Sequence, residues 1–284
     1  MSSSAAPDTR RSWIALSEHY GHAVRTPNVA GPRTTNGRRP RAVAVLWHNA
    51  ADALVNSTVP VSRRQLARST LPRLVGALVM LPALLVLSAG TFKYWEAWTY
   101  LAILLIPMML TAGFLLARDP ELLERRMRTG EKDPAQIRIV ALAGLCFLAI
   151  MLIPGFDHRF GWSTVPLPVV VAADLVVVLA YVLFIRVLRE NRSVSRIIEV
   201  EAGQRVVSTG PYAVVRHPMY AAVTLIAMAT PVALGSWWAL IPAACLVAVM
   251  TGRIRNEERV LADKLSGYRE YMRNTSYRLI PGVW

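Results

Sequence analysis

From about residue 70 onward the chain is a series of long apolar runs set apart by short polar stretches. Residues 74–92 follow Arg63, Arg64, Arg68 and Arg73 and carry no charge; residues 97–117 are likewise uncharged. Residues 139–156 form a third run and residues 165–185 a fourth, broken only by Asp174. About 20 residues of helix cross a hydrocarbon core of roughly 30 Å, so each run predicts a transmembrane helix. Residues 218–252 are too long for one span and carry a turn signal at Leu234, Gly235 and Ser236. They predict a hairpin of two short helices. The pattern as a whole predicts an all-α, polytopic integral membrane protein of about six transmembrane helices, the last two forming a C-terminal hairpin.

Charge gives this layout a direction. Residues 1–73 hold 11 basic side chains, 118–138 hold 6, 186–216 hold 6 and 253–284 hold 7, whereas the alternate connections hold Lys93 and Arg159 alone. Lys and Arg accumulate on the cytoplasmic side of bacterial and other inner membranes, so both termini are expected there. Trp95, Trp98, Trp162, Trp237 and Trp238 fall near the opposite connections, as interfacial aromatics should.

Composition then removes rival classes. The chain is 54% hydrophobic and carries 32 Lys and Arg against 18 Asp and Glu, a net charge of +14. Such a composition does not belong to an ordinary soluble domain. The basic residues are 29 Arg and 3 Lys, a bias expected of a GC-rich bacterial genome. Cys146 and Cys245 both sit in apolar runs, which excludes a disulfide framework and a cysteine-built metal site. Nucleic-acid binding would call for interleaved aromatics or a recognisable module, and neither is present, so no nucleic-acid partner is expected. The charge points instead to anionic lipid head groups.

Three regions follow. Residues 1–68 read as a basic, mostly disordered extension, residues 69–190 as a four-helix transmembrane region, and residues 191–284 as the part that carries the chemistry. No secretory signal is expected, since the first apolar run begins near residue 74. Within the extension, Val43, Leu46, Trp47, Ala50 and Leu54 recur at helical spacing after Arg38, Arg39 and Arg41. That island reads either as a helix on the inner leaflet or as an incidental helix in a tail. His19, His22 and His48 fit no common metal-ligand spacing, and no metal is expected. Glu121 and Glu124, with Arg125, Arg126 and Arg128, read as a solvated amphipathic segment over the inner leaflet.

Polar residues gather after the fourth run. Gly210, Pro211 and Tyr212 read as a turn, followed by Arg216, His217, Pro218, Met219 and Tyr220. Pro218 suits the first position of a helix, which makes His217 its cap and offers the helix start to an anionic group. The plainer reading is an interfacial cap with Arg216 snorkelling. Beyond the hairpin come Arg253, Asn256, Glu257 and Glu258, then Tyr268 and Tyr271; Arg253 and Glu257 lie four apart on one helix face. Because a hairpin returns to the side it left, His217 and the two glutamates are brought to one interface. From spacing alone, a solvated, salt-bridged face is the better account of the glutamates.

Taken in order, Gly210-Pro211-Tyr212, Arg216-His217-Pro218-Met219-Tyr220, Arg253, Glu257-Glu258, Leu261, Gly267-Tyr268-Arg269-Glu270-Tyr271 and Tyr277-Arg278-Leu279-Ile280-Pro281-Gly282 resemble the isoprenylcysteine carboxyl methyltransferase family and its bacterial and phospholipid methyltransferase relatives. The likeness covers residues 186–284 in detail, the four earlier runs only as architecture, and residues 1–68 not at all. One departure is Ala222, where the family commonly has Gly.

The resemblance implies an integral inner-membrane enzyme that uses S-adenosylmethionine at the cytosolic face and methylates a lipophilic acceptor from the bilayer. It implies cofactor contacts from Tyr212, Arg216, His217, Pro218, Tyr220, Arg253, Glu257, Glu258, Tyr268 and Tyr271, with His217, Glu257 and Glu258 as the catalytic candidates. A carboxylate acceptor needs no base, whereas an amine or hydroxyl would lose its proton to His217 or a glutamate. Glu190 and Asn191, leaving the fourth run, are the candidates for the acceptor mouth. Asp174, an ionisable residue inside a span, reads as part of a substrate tunnel or as a carboxyl held by internal hydrogen bonds or by protonation. Two rivals remain. One is an NADPH-dependent reductase of the sterol type, which shares an Arg-His-Pro-x-Tyr segment but would have Asn before the Tyr and Gly-Glu after it. The other is a non-catalytic membrane protein that keeps the hairpin.

Overall fold

A computed structural model describes residues 63–127, 134–191 and 205–284, all within one unit that spans Val59–Trp284. The expected helix around Trp47, the tail histidines, Arg128 and residues 192–204 lie outside the described residues. Eight α-helices and one 3₁₀ turn make up the described chain, and no strand occurs among the described residues. They are α1 (Arg63–Ala89), α2 (Trp95–Arg118), α3 (Pro120–Met127), α4 (Pro134–Phe160), α5 (Leu167–Glu190), the 3₁₀ turn Gly210–Ala213, α6 (Pro218–Ala233), α7 (Leu240–Lys264) and α8 (Tyr268–Asn274). The described part of the chain is thus all-helical and polytopic. Four helices, α1, α2, α4 and α5, are long and apolar enough to cross a membrane.

Each of the four outruns its apolar stretch. α1 starts at Arg63, eleven residues ahead of the uncharged run, and α4 ends at Phe160, four beyond it, because a helix can project charged ends into the head-group layer. Pro72, Pro82, Pro107, Pro154 and Pro231 lie inside helices, a frequency tolerated in membrane bundles where neighbouring groups re-satisfy the freed backbone. The hairpin forms as expected but with unequal arms. α6 has 16 residues, and α7 has 25 because it continues through Arg253, Glu257 and Glu258 to Lys264.

Large side chains such as Leu87, Leu110 and Leu179 stand exposed around the bundle, which in a bilayer is contact with lipid. Inside, Leu85, Tyr100, Ile150, Met151, Val177, Leu234 and Ala243 form one core drawn from α1, α2, α4, α5, α7 and the hairpin turn. α5 packs most extensively against α6. Small residues make such approaches feasible: Ala222, Ala233 and Ala243 are fully buried, and a Cβ on Gly155 of α4 would stand 1.8 Å from the Ser88 hydroxyl of α1.

The end of the bundle away from His217 is closed by Asp157, a buried carboxylate at the end of α4, just past the apolar run of residues 139–156. It accepts from Ser163 N at 2.7 Å, Ser163 Oγ at 2.5 Å and Ser236 Oγ at 2.5 Å. Beside it the Tyr94 hydroxyl donates to Leu234 O at 2.5 Å. These bonds fasten the hairpin turn to α2 and α4. Asp174 is the eighth residue of α5, about 10 Å along the helix from this end. It is buried and its Oδ1 has no hydrogen-bond partner, so a carboxylate satisfied on both oxygens is not what the fold provides.

Candidate functional site

Gly210 opens the polar end of the molecule with φ of +56°, a left-handed conformation suited to Gly. A Cβ there would also meet the Glu190 carboxyl carbon at 2.9 Å. Glu190 accepts a short hydrogen bond from the Thr209 hydroxyl, and Asn191 Nδ2 donates to the Tyr212 hydroxyl at 3.2 Å. The two residues expected at an acceptor mouth therefore brace the Gly-Pro-Tyr turn. From the other side the Tyr271 hydroxyl donates to Tyr212 O at 2.7 Å.

Next along the chain, Arg216 and His217 are held by the C-terminal tail. Their backbone N–H groups donate to Tyr277 O at 2.9 Å and Arg278 O at 3.0 Å. Pro218 then begins α6, and His217 occupies the cap position ahead of it. Its ring does not cap the helix; it turns to Glu258, with Nε2 3.3 Å from Oε1. The same Oε1 accepts from Arg216 Nε at 2.7 Å, while Oε2 accepts from Arg278 Nε at 2.8 Å. Arg216 also donates from Nη1 to Thr275 O and Ser276 O, both at 2.8 Å. Burial pushes the Glu258 carboxyl up, but hydrogen bonds from His217, Arg278 and Arg216 outweigh it and hold the group down at about 2. Glu258 is thus a buried junction that ties α6, α7 and the tail together.

Glu257 has a different setting. Its Oε2 accepts from the Tyr220 hydroxyl at 2.7 Å, its sole hydrogen bond among the described residues. Tyr220 in turn accepts from Arg253 Nε at 3.0 Å, and Arg253 Nη1 donates to Gln136 Oε1 at 3.3 Å. The expected Arg253 and Glu257 partnership is therefore mediated by a tyrosine lying between them. His217 meets Tyr220 edge-on, with ring centroids 5.8 Å apart, so the two clusters adjoin.

Tyr212, Tyr268 and Tyr271 form an apolar wall with Val187 and Leu265. Burial and the nearby Glu258 and Glu257 carboxylates push the Tyr268 phenol well above its usual range, and burial pushes Tyr271 up to about 12. These hydroxyls stay protonated as donors. Tyr268 Oη is buried with no partner among the described residues. Beside Glu258 a cavity of about 340 Å³ opens between α7, α8 and the tail, lined by Arg255, Glu258, Arg259, Ala262, Met272 and Arg278. Among the described residues no group of three or more His, Cys, Asp or Glu side chains is arranged to hold a metal.

The fold therefore gathers Arg216, His217, Pro218, Tyr220, Arg253, Glu257 and Glu258 at one end of the bundle, with Tyr212, Tyr268 and Tyr271 alongside. Two participants escaped the sequence reading. Arg278 stands in the closing segment and carried a signal there; Gln136, in the polar connection ahead of the third apolar run and 117 residues from its partner Arg253, carried none.

The family profile described as phospholipid methyltransferase matches residues 168–266, which run from the start of α5 through the hairpin to just past the Glu257-Glu258 pair. No curated protein matches the chain. The matched segment carries His217, Tyr220 and both glutamates; Gln136 and Arg278 lie outside it.

Proposed function

We propose that the chain is an S-adenosylmethionine-dependent methyltransferase of the inner membrane, with its active site at the cytosolic face and a lipophilic acceptor that arrives from the bilayer. The observation that carries this reading is the unequal treatment of two adjacent carboxylates inside the matched segment. Glu258 is saturated by two guanidinium groups and an imidazole, whereas Glu257 is held by one neutral phenol. A carboxylate positioned by a neutral donor keeps its charge available for a cation, here the ammonium of the amino-acid end of the cofactor.

Other residues fit the same ligand. The orphaned Tyr268 hydroxyl suits a ribose or adenine polar atom, and the Tyr212, Tyr268 and Tyr271 wall suits a flat base. The first turn of α6 offers backbone N–H groups to a carboxylate, with His217 as an added donor. S-adenosylmethionine supplies a methyl group on a cationic sulfur, and its transfer is an in-line displacement. The protein's part is to align two reactants from different phases, for which a site at the membrane edge is suited. Arg216, Glu258 and Arg278 act as the frame. For an amine or hydroxyl acceptor, His217 or Glu257 receives the proton; a carboxylate acceptor leaves both in a binding role.

Detergent-purified protein should bind S-adenosylmethionine saturably, and binding should be lost in Glu257→Ala and His217→Ala at unchanged helix content. Calorimetry with S-adenosylmethionine and NADPH in parallel decides the matter. NADPH binding alone, or neither ligand on a folded protein, would overturn the proposal.

A further inference from the structure

Gln136 is the residue through which α4 reaches the site. It lies in the first turn of α4, is 1% exposed, and accepts from Arg253 Nη1 at 3.3 Å through Oε1. Guanidinium groups only donate, so this bond fixes which end of the amide faces Arg253. Nε2 is consequently turned elsewhere, and it is buried with no partner among the described residues. An unsatisfied buried amide donor is costly and rare, and a native fold that keeps one has a ligand or water to meet it.

Its surroundings favour the bilayer side. Gln136 stands three residues before the apolar run that begins at residue 139, at the depth where α4 enters the hydrocarbon, while Arg253, Tyr220 and Glu257 lie behind it in a continuous hydrogen-bonded chain. We infer that Gln136 is an acceptor-specificity residue: its Nε2–H donates to an oxygen on the head of the methyl acceptor while Oε1 keeps Arg253, and through it Tyr220 and Glu257, in place. This rests on the methyltransferase reading above. It assigns to α4, outside the matched segment, the half of the site that distinguishes one acceptor from another. A donor amide there selects for a carbonyl, carboxylate or phosphate ester oxygen beside the atom that takes the methyl, and against a bare amine or hydrocarbon head.

Two substitutions separate the two ends of the amide. Gln136→Glu retains an oxygen for Arg253 and removes the N–H donor; Gln136→Leu removes both. Transfer of labelled methyl from S-adenosylmethionine is measured to N-acetyl-S-farnesylcysteine in dodecylmaltoside micelles and to phosphatidylethanolamine in vesicles, with cofactor affinity measured separately by calorimetry. Gln136→Glu should raise the acceptor KM about tenfold, the worth of one hydrogen bond, at unchanged cofactor affinity. Gln136→Leu should raise the acceptor KM and also weaken cofactor binding, because Glu257 loses its support. A wild-type acceptor KM in Gln136→Glu would overturn the inference and leave a bridging water as the partner of Nε2. Loss of cofactor affinity in Gln136→Glu would overturn it too, as would a wild-type protein that binds the cofactor and methylates neither probe. A wild-type protein that binds no S-adenosylmethionine would instead remove the methyltransferase reading itself.

Discussion

Glu257 and Glu258 are neighbours of one residue type on one helix, yet their surroundings give them different work. Replacing Glu258 by Gln leaves Arg216 buried without its carboxylate partner, so the main loss should be in folding: a lower unfolding temperature in detergent. Replacing Glu257 by Gln should leave that temperature nearly unchanged and weaken S-adenosylmethionine binding about 10- to 100-fold, the range for a lost charge-assisted bond. Equal thermal losses in the two variants would contradict this division. Glu258 also sets an acid limit. Its native value of about 2 lies below the ordinary 4.5, so its stabilisation is complete above about 4.5 and disappears as the pH falls from there towards about 2. Unfolding temperatures at about pH 5 and about pH 3 should therefore differ more in the wild type than in Glu258→Gln. The residues of this cluster were legible in the sequence because helix starts, paired carboxylates and turn signals are local patterns. The division of labour between the glutamates was not, since it depends on Tyr220, Arg278 and Gln136, and no local rule connects positions 20 to 122 residues from the glutamate pair.

At the scale of elements, apolar run length predicted the four long helices and the turn at Gly235, because a lipid environment obliges each run to satisfy its own backbone. What it missed is how far α4 extends past the hydrocarbon, carrying Asp157 at its end on a turn that is polar in sequence; the helical spacing of Arg253, Glu257 and Glu258 had already placed both glutamates on a continuing α7. Asp157 is the clearest case of a residue whose role only packing reveals. It joins α4 to a serine 79 positions away across the hairpin turn. Asp157→Ala should cost about 2–4 kcal/mol, since it strands the buried Ser236 hydroxyl together with the half-buried hydroxyl and backbone N–H of Ser163, while cofactor affinity stays at the wild-type value. Chemical or thermal denaturation beside calorimetry tests both halves. A loss of affinity without a loss of stability would mean that the far end of the bundle communicates with the site.

For the molecule as a whole, thirty of the 32 basic residues fall on the side expected to be cytoplasmic. The two cysteines make that orientation testable, because Cys146 is buried and both can be replaced by Ala before single cysteines are introduced. Ser276→Cys should react with an impermeant maleimide only from the cytosolic side, and Lys93→Cys only from the opposite side. The reverse pattern would invert the protein. One dimension of the hairpin bears on catalysis in another way. α6, at 16 residues, is about 24 Å long, whereas the surrounding hydrocarbon is about 30 Å thick. A bilayer meeting so short an arm thins around it, and the end of α6 that bears His217 and Tyr220 then lies below the mean level of the phosphates. On the methyltransferase reading, lipids beside α6 would be drawn towards the depth of the site, and the protein would set the height at which an acceptor is presented. Turnover in vesicles should accordingly be faster with dimyristoleoyl than with dierucoyl phosphatidylcholine, making membrane thickness itself a regulator of rate.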